Sequence, residues 1–197
     1  ESPGISYDRI PFHVVANDGN IMEYTVAFDG KKDLDADDDL QEHNGILPTM
    51  AIAERWDVIV DFSEKNPAGI EPGDKLYMVN LLEHKNGKRP HQSIPLGEIL
   101  SGDYAGEDGE DACDTVVGKF FEMRIQPCTK PDGSAAPSCQ VGDGAVASQQ
   151  DRSMDPAAYI EGNTNGPRGS ALRMIPKPLI RPEELANAHH RTFIFAK

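Results

Sequence analysis

The sequence predicts an all-β protein, a sandwich or barrel of short strands followed by a long irregular stretch with one or two short helices. Three observations carry this. Several segments rich in β-branched and aromatic residues recur between residues 10 and 125. Turn formers separate them at close intervals. From about residue 126 to 180 hydrophobic periodicity vanishes, and Pro, Gly, Ser and Asp dominate.

The strands follow in order. IPFHVV (10–15) and IMEYTVAF (21–28) flank Asn17-Asp18-Gly19-Asn20, a turn signal. WDVIVDF (56–62) reads as a buried strand because Val58, Ile59 and Val60 are β-branched in succession. Asn66-Pro67 and Pro72-Gly73-Asp74 separate it from KLYMVNLL (75–82). Asn86-Gly87 precedes IPLGEIL (94–100), and Gly102-Asp103 precedes TVVGKFFEMRI (115–125). In the irregular stretch, Asp155 is expected to cap a turn begun by Pro156. Pro182-Glu183-Glu184 places a proline and two acids at the start of a second short helix, which His189 and His190 would close. RTFIFAK (191–197) reads as a further strand needing a partner elsewhere. Six strands are few for a two-sheet sandwich, and the chain enters its first strand abruptly after ESPGISYDRI. A piece of a larger protein is therefore expected.

Length and composition bound the rest. A chain of 197 residues can hold one domain core, but only 38% of it is hydrophobic, and 15 Pro and 18 Gly assign much of it to loops. The net charge of -14 argues against nucleic acid, which needs clustered Lys and Arg, and favours cations as small partners. No apolar run reaches the roughly 20 residues of a membrane span, and residues 1–20 lack the basic start and apolar segment of an export signal. Cys128 and Cys139 bracket a turn-rich loop that a disulfide could staple for about 3 kcal/mol, which favours an oxidising compartment. Cys113 would then be a free thiol or half of a bridge to other sequence; three unrelated thiols are the competing account.

VANDGNIM (15–22), LPTMAIAERWDVIVDFS (47–63) and GDKLYMVNL (73–81) together resemble the middle cupredoxin domain of three-domain multicopper oxidases, in their laccase-like and spore-coat-like bacterial branch. The family pattern is an Asp-Gly-Gly-like turn before a strand, then a Pro-Ala-Glu-Arg-x-Asp corner leading into Val-Ile-Val-Asp-Phe, then Gly and a strand ending in Asn. Asp18-Gly19, Ala53 to Asp57, Val58 to Phe62 and Gly73 to Asn80 hold those places in the same order. Ile52 stands where the pattern has proline, and KKDLDADDDLQEHNGI (31–46) is an acidic insertion. The resemblance covers residues 10 to about 100 and returns faintly at Arg191-Thr192-Phe193.

What the resemblance implies is a cupredoxin-like Greek-key sandwich or barrel. Residues 1–125 would be the C-terminal part of the middle domain, 126–190 an interdomain linker, and 191–197 the first strand of a following, copper-carrying domain. The flanking cupredoxin domains would be the partners. The whole enzyme, periplasmic or extracellular, would take single electrons from a small reducing substrate, a phenol or a metal ion, and reduce dioxygen to water. Its copper ligands, His-x-His pairs and a histidine-flanked Cys, are absent from this segment, as the resemblance implies for the middle domain.

The residues themselves support plain roles. Neighbours in an extended chain point to opposite sides, so Arg55 is expected to pair with Asp57 or with a neighbouring loop while Glu54 faces elsewhere. The corner is read as structural rather than catalytic. His13 reads as a half-exposed strand residue, and His84 and His91 as solvated positions around a turn. Asp33, Asp35 and Asp37 occupy the first, third and fifth positions of a calcium loop. However, Asp38 stands where that loop uses glycine, and Asn44 where it uses a bidentate Glu. A solvated acidic insertion is the simpler reading. A secreted, calcium-binding β-sandwich used for adhesion is the functional alternative to the oxidase.

Overall fold

The computed structural model describes residues 7–34, 36–38, 40, 43–62, 68–85, 89–104, 116–136, 139, 142–147, 154–164, 169–175 and 182–187. Among them the fold is all-β: seven strands in antiparallel sheets, with two short helices and a 3-10 turn. The first sheet has the order β2-β1-β3, formed by β1 (Phe12–Asn17), β2 (Asn20–Phe28) and β3 (Trp56–Ile59). β4 (Lys75–Asn80) pairs with β7 (Gly118–Arg124), and β5 (Leu82–Lys85) with β6 (Arg89–Ser93), as two separate ribbons.

β1 and β2 form a hairpin on the two-residue loop Asp18-Gly19, both in the left-handed region at φ 49° and 79°. Left-handed backbone at both positions matches the right-handed twist of the flanking strands, which is why Asp-Gly suits the turn. The hairpin register sets Phe12 opposite Phe28, and their rings stack with centroids 5.2 Å apart. His43 meets Phe28 edge-on at 5.8 Å. Val14 is fully buried, and Ala16, Ala27 and Phe28 are buried beside it. The register slips between Val14 and Ala16 toward both β2 and β3. Toward β3 the extra residue is Val15, whereas toward β2 the extra residues lie on β2 itself, between Ile21 and Val26.

Several expectations are corrected. The segment 94–100 is not a strand: Leu96–Ser101 forms α1, entered from Pro95 and closed by Gly102 at φ 83°, whose N–H donates to the Glu98 carbonyl. Leu96, Ile99 and Leu100 recur at helical spacing, but so short an apolar-rich run is as consistent with a strand. The expected strand 75–82 ends at Asn80, and a separate strand begins at Leu82. The Asn80 side chain makes the break, because Oδ1 accepts the Leu82 N–H and Nδ2 donates to the Val116 carbonyl. β6 was not expected, since RPHQS is polar and exposed along its whole length; it exists as the partner of β5 across residues 86–88. His84 and His91 lie on these two paired strands, on either side of residues 86–88. The Val58 run is not a buried strand either: β3 spans four residues at the sheet edge, and Val58 is 38% exposed.

The irregular stretch fastens onto the first sheet. Asp155 caps a 3-10 turn, Pro156–Tyr159, by accepting the Ala157 N–H. Thr25 on β2 bridges to Ile160 in parallel, and its hydroxyl donates to the Pro156 carbonyl at 2.7 Å. Further on, the Met174 N–H donates to the Glu23 carbonyl. Cys128 and Cys139 are joined by a disulfide with their Cα atoms 5.5 Å apart. Pro182–Ala186 forms α2. Cys113, His189, His190 and residues 191–197 lie outside the described residues.

Candidate functional site

At the corner 51–57 the entry to β3 meets the β1–β2 turn. Its turn closes with the Glu54 N–H donating to the Ala51 carbonyl, and Ala53 takes the left-handed conformation at φ 66°. That geometry suits a turn with its third residue in the left-handed region and proline favoured just before it, at Ile52. Glu54 turns its side chain to Asn17, while Arg55 meets Asp18 mainly through its main chain. Both reach the β1–β2 turn. Glu54 accepts the Ala51 N–H at 2.8 Å on one oxygen and the Asn17 amide at 3.3 Å on the other. Asp18 Oδ1 accepts the Arg55 N–H at 2.9 Å, while the Asp18 N–H donates to the Arg55 carbonyl at 2.9 Å.

Arg55 therefore engages the neighbouring loop rather than Asp57. Its guanidinium sits 3.7 Å from Asp18 with side chains 76% and 46% exposed, a pair worth about 0–1 kcal/mol after screening. The two bonds between the Arg55 main chain and Asp18, one to its carboxylate and one from its N–H, matter more, each contributing about 1 kcal/mol. Asp57 pairs with Ala16 across the strands and makes no side-chain hydrogen bond or ion pair among the described residues. Both carboxylate oxygens of Glu54 hold chain segments in place. The arrangement can fix the entry to β3 against the β1–β2 hairpin; it presents no paired acid and base in a cleft.

Sequence reasoning found the Glu54-Arg55 corner but not its partner. Asn17-Asp18-Gly19 is legible as a turn, yet nothing local encodes which distant segment it grips. A second missed position is Glu83, buried on β5 and held by the Tyr104 hydroxyl at 2.6 Å and the Gln92 amide at 2.9 Å.

For cations, no group of three or more His, Cys, Asp or Glu side chains is arranged to hold a metal among the described residues. The copper implied by the resemblance finds no donor set among them. His13 lies on β1, His43 against Phe28, and His84 and His91 on the β5-β6 ribbon. In the acidic insertion Asp35 lies outside the described residues. Asp33 turns its carboxylate to its own loop, accepting the N–H groups of Ala36, Asp37 and Asp38. Burial pulls the His13 pKa below its ordinary value, against the opposing charges of Asp29, Asp155 and Asp61. No helix among the described residues is long and apolar enough to cross a membrane.

No protein-family model matches the chain, and neither does any curated protein or solved structure.

Proposed function

We propose that the chain is a structural, copper-free segment of a multicopper oxidase, with the cupredoxin-like Greek-key architecture that its motifs imply. The intact enzyme would accept electrons singly from a phenol or metal ion and reduce dioxygen to water, working outside the cytoplasm. Flanking domains would bring the copper ligands. One observation carries the reading. Asp18 and Arg55, 37 positions apart, exchange hydrogen bonds while Glu54 accepts the Asn17 amide, and this meeting of distant motif residues at one corner supports the reading. The test is the full-length protein. His-x-His pairs upstream, a His-Cys-His motif downstream, bound copper and phenol-dependent oxygen uptake are expected. Stoichiometric copper on these 197 residues alone, or a copper-free full-length protein, would overturn the proposal.

A second reading, the calcium-binding adhesion module, has one observation in its favour. Asp38, at the loop position where calcium sites use glycine for a sharp turn, takes the left-handed conformation glycine would supply, at φ 72°. Calcium titration separates the two. Saturable binding that Asp37→Asn weakens supports the module; heat of dilution alone removes it.

A further inference from the structure

β4 and β7 form an amphipathic ribbon whose apolar side is uncovered. Their register sets Leu76 opposite Met123 and Met78 opposite Phe121, and it alternates these pairs with Lys75–Arg124, Tyr77–Glu122 and Val79–Lys119. Paired residues share a side of the ribbon, so the first two pairs make one side and the other three make the second. The second side is finished. Tyr77 donates its hydroxyl to Glu122 at 3.0 Å, Arg124 pairs with the same carboxylate at 2.6 Å, and the Lys119 ammonium lies 4.7 Å from the centre of the Tyr77 ring. On the apolar side Met78 is 43% exposed and Phe121 53%, and Phe120, the extra residue where the register slips, is 63% exposed.

Two strands with an apolar side in water are marginal by themselves; such a ribbon needs a further strand or a packing layer. We propose that the Met78–Phe120–Phe121 side of this ribbon is a docking surface for further polypeptide of the same protein, beyond residues 1–197, that presents an apolar face of its own. The inference rests on the reading of this chain as a segment of a larger protein, and it does not depend on copper. Area and charge select this occupant over a second copy. Covering the exposed half of three side chains of roughly 150–250 Å² each would bury about 300 Å², against about 800 Å² per partner in a stable dimer. Two copies would also each bring a net charge of -14 to the contact. A tethered occupant needs no such area, because the covalent link keeps it close at an effective concentration on the order of millimolar.

Met78 reads the surface directly, because hydrogen peroxide converts an accessible thioether to the sulfoxide. Met50, 44% exposed at the corner, is the internal reference. The measurement is the rate of Met78 oxidation relative to Met50, by mass spectrometry, in the 197-residue chain and in the full-length protein. The two residues should oxidise at similar rates in the 197-residue chain, and Met78 should slow by about tenfold in the full-length protein at every protein concentration. Phe121→Asp in the full-length protein should abolish that protection; if this variant does not fold, the comparison of the two parent proteins still decides. Equal Met78 rates in the two proteins, protection retained in a folded Phe121→Asp protein, or a gene that encodes nothing beyond these residues would overturn the proposal. Protection that grows in the 197-residue chain as its concentration rises would overturn it too, since the occupant would then be a second copy. Copper content separates the inference from the oxidase reading. A copper-loaded protein with an open Met78 removes only the docking surface, and a copper-free protein with a protected Met78 removes only the oxidase.

Discussion

Tyr104 donates its hydroxyl to Glu83 at 2.6 Å, joining a residue just beyond α1 to a buried carboxylate on the β5-β6 ribbon. Gln92, directly opposite Glu83 across the ribbon, donates to the other oxygen at 2.9 Å. Tyr104→Phe removes one donor from a carboxylate that water does not reach, and should cost about 1–3 kcal/mol in a urea titration. Glu83→Gln should cost less, because the Gln92 amide can turn its oxygen to the new donor. Equal stability of Tyr104→Phe and the parent would show that the bond holds nothing.

Ile52 is fully exposed and immediately precedes left-handed Ala53 in the corner turn. Proline there restricts the unfolded chain without disturbing the folded one, so Ile52→Pro should stabilise by about 0.4–1 kcal/mol. A lower thermal midpoint would mean that the turn is of another type.

The Asp18–Arg55 clasp leads to a prediction about role. Asp18→Ala should destabilise by about 1–2 kcal/mol through the lost acceptor. Under the proposed oxidase reading, turnover per folded molecule of the intact enzyme should be unchanged by Asp18→Ala and by Glu54→Gln. A selective fall in turnover by either variant, at unchanged folded fraction, would assign the corner a part in the chemistry.

His13 gives a pH dependence of defined sign. Its pKa is lowered by burial, so around the ordinary value near 6.5 the unfolded chain binds more protons than the folded one. The resulting stability is fully present above about pH 6.5 and is lost as pH falls toward the folded value. Urea midpoints at about pH 7.5 and pH 5.5 should differ less in His13→Gln than in the parent. An identical difference would locate the pH dependence elsewhere.

The Cys128–Cys139 disulfide closes a loop of sequence separation 11 in a polar segment. Replacing both cysteines with serine should cost about 3 kcal/mol on a chain-entropy model. Hydrogen exchange of Ala136 and Val146, whose N–H groups bond to the Cys128 and Thr129 carbonyls, should report the loss first. Unchanged protection there would make the bridge incidental to folding.

The β1–β2 hairpin was legible in the sequence because its information is local. Asp18-Gly19 favours the left-handed turn, and Phe12, Val14, Phe28 and the residues between them fit a pleated surface. The cap at Asp155 and the helix start at Pro182 are local in the same way. The seven-residue run 94–100 was ambiguous because so short an apolar-rich stretch suits a strand or a helix, and Pro95 and Gly102, on either side of the helix, resolve it. The polar strand β6 carries no hydrophobic signal and forms as the partner of β5.

By itself, then, the sequence determined the all-β class, the principal turns and the absence of any long apolar span, since each follows from short-range backbone preference and composition. Tertiary structure alone decided that Asp18 grips Arg55, that Glu83 is buried against Tyr104, and that Pro156, Ile160 and Met174 fasten onto β2. Those pairings span tens of residues in sequence. Which polar groups must satisfy one another becomes defined only when burial takes water away from them.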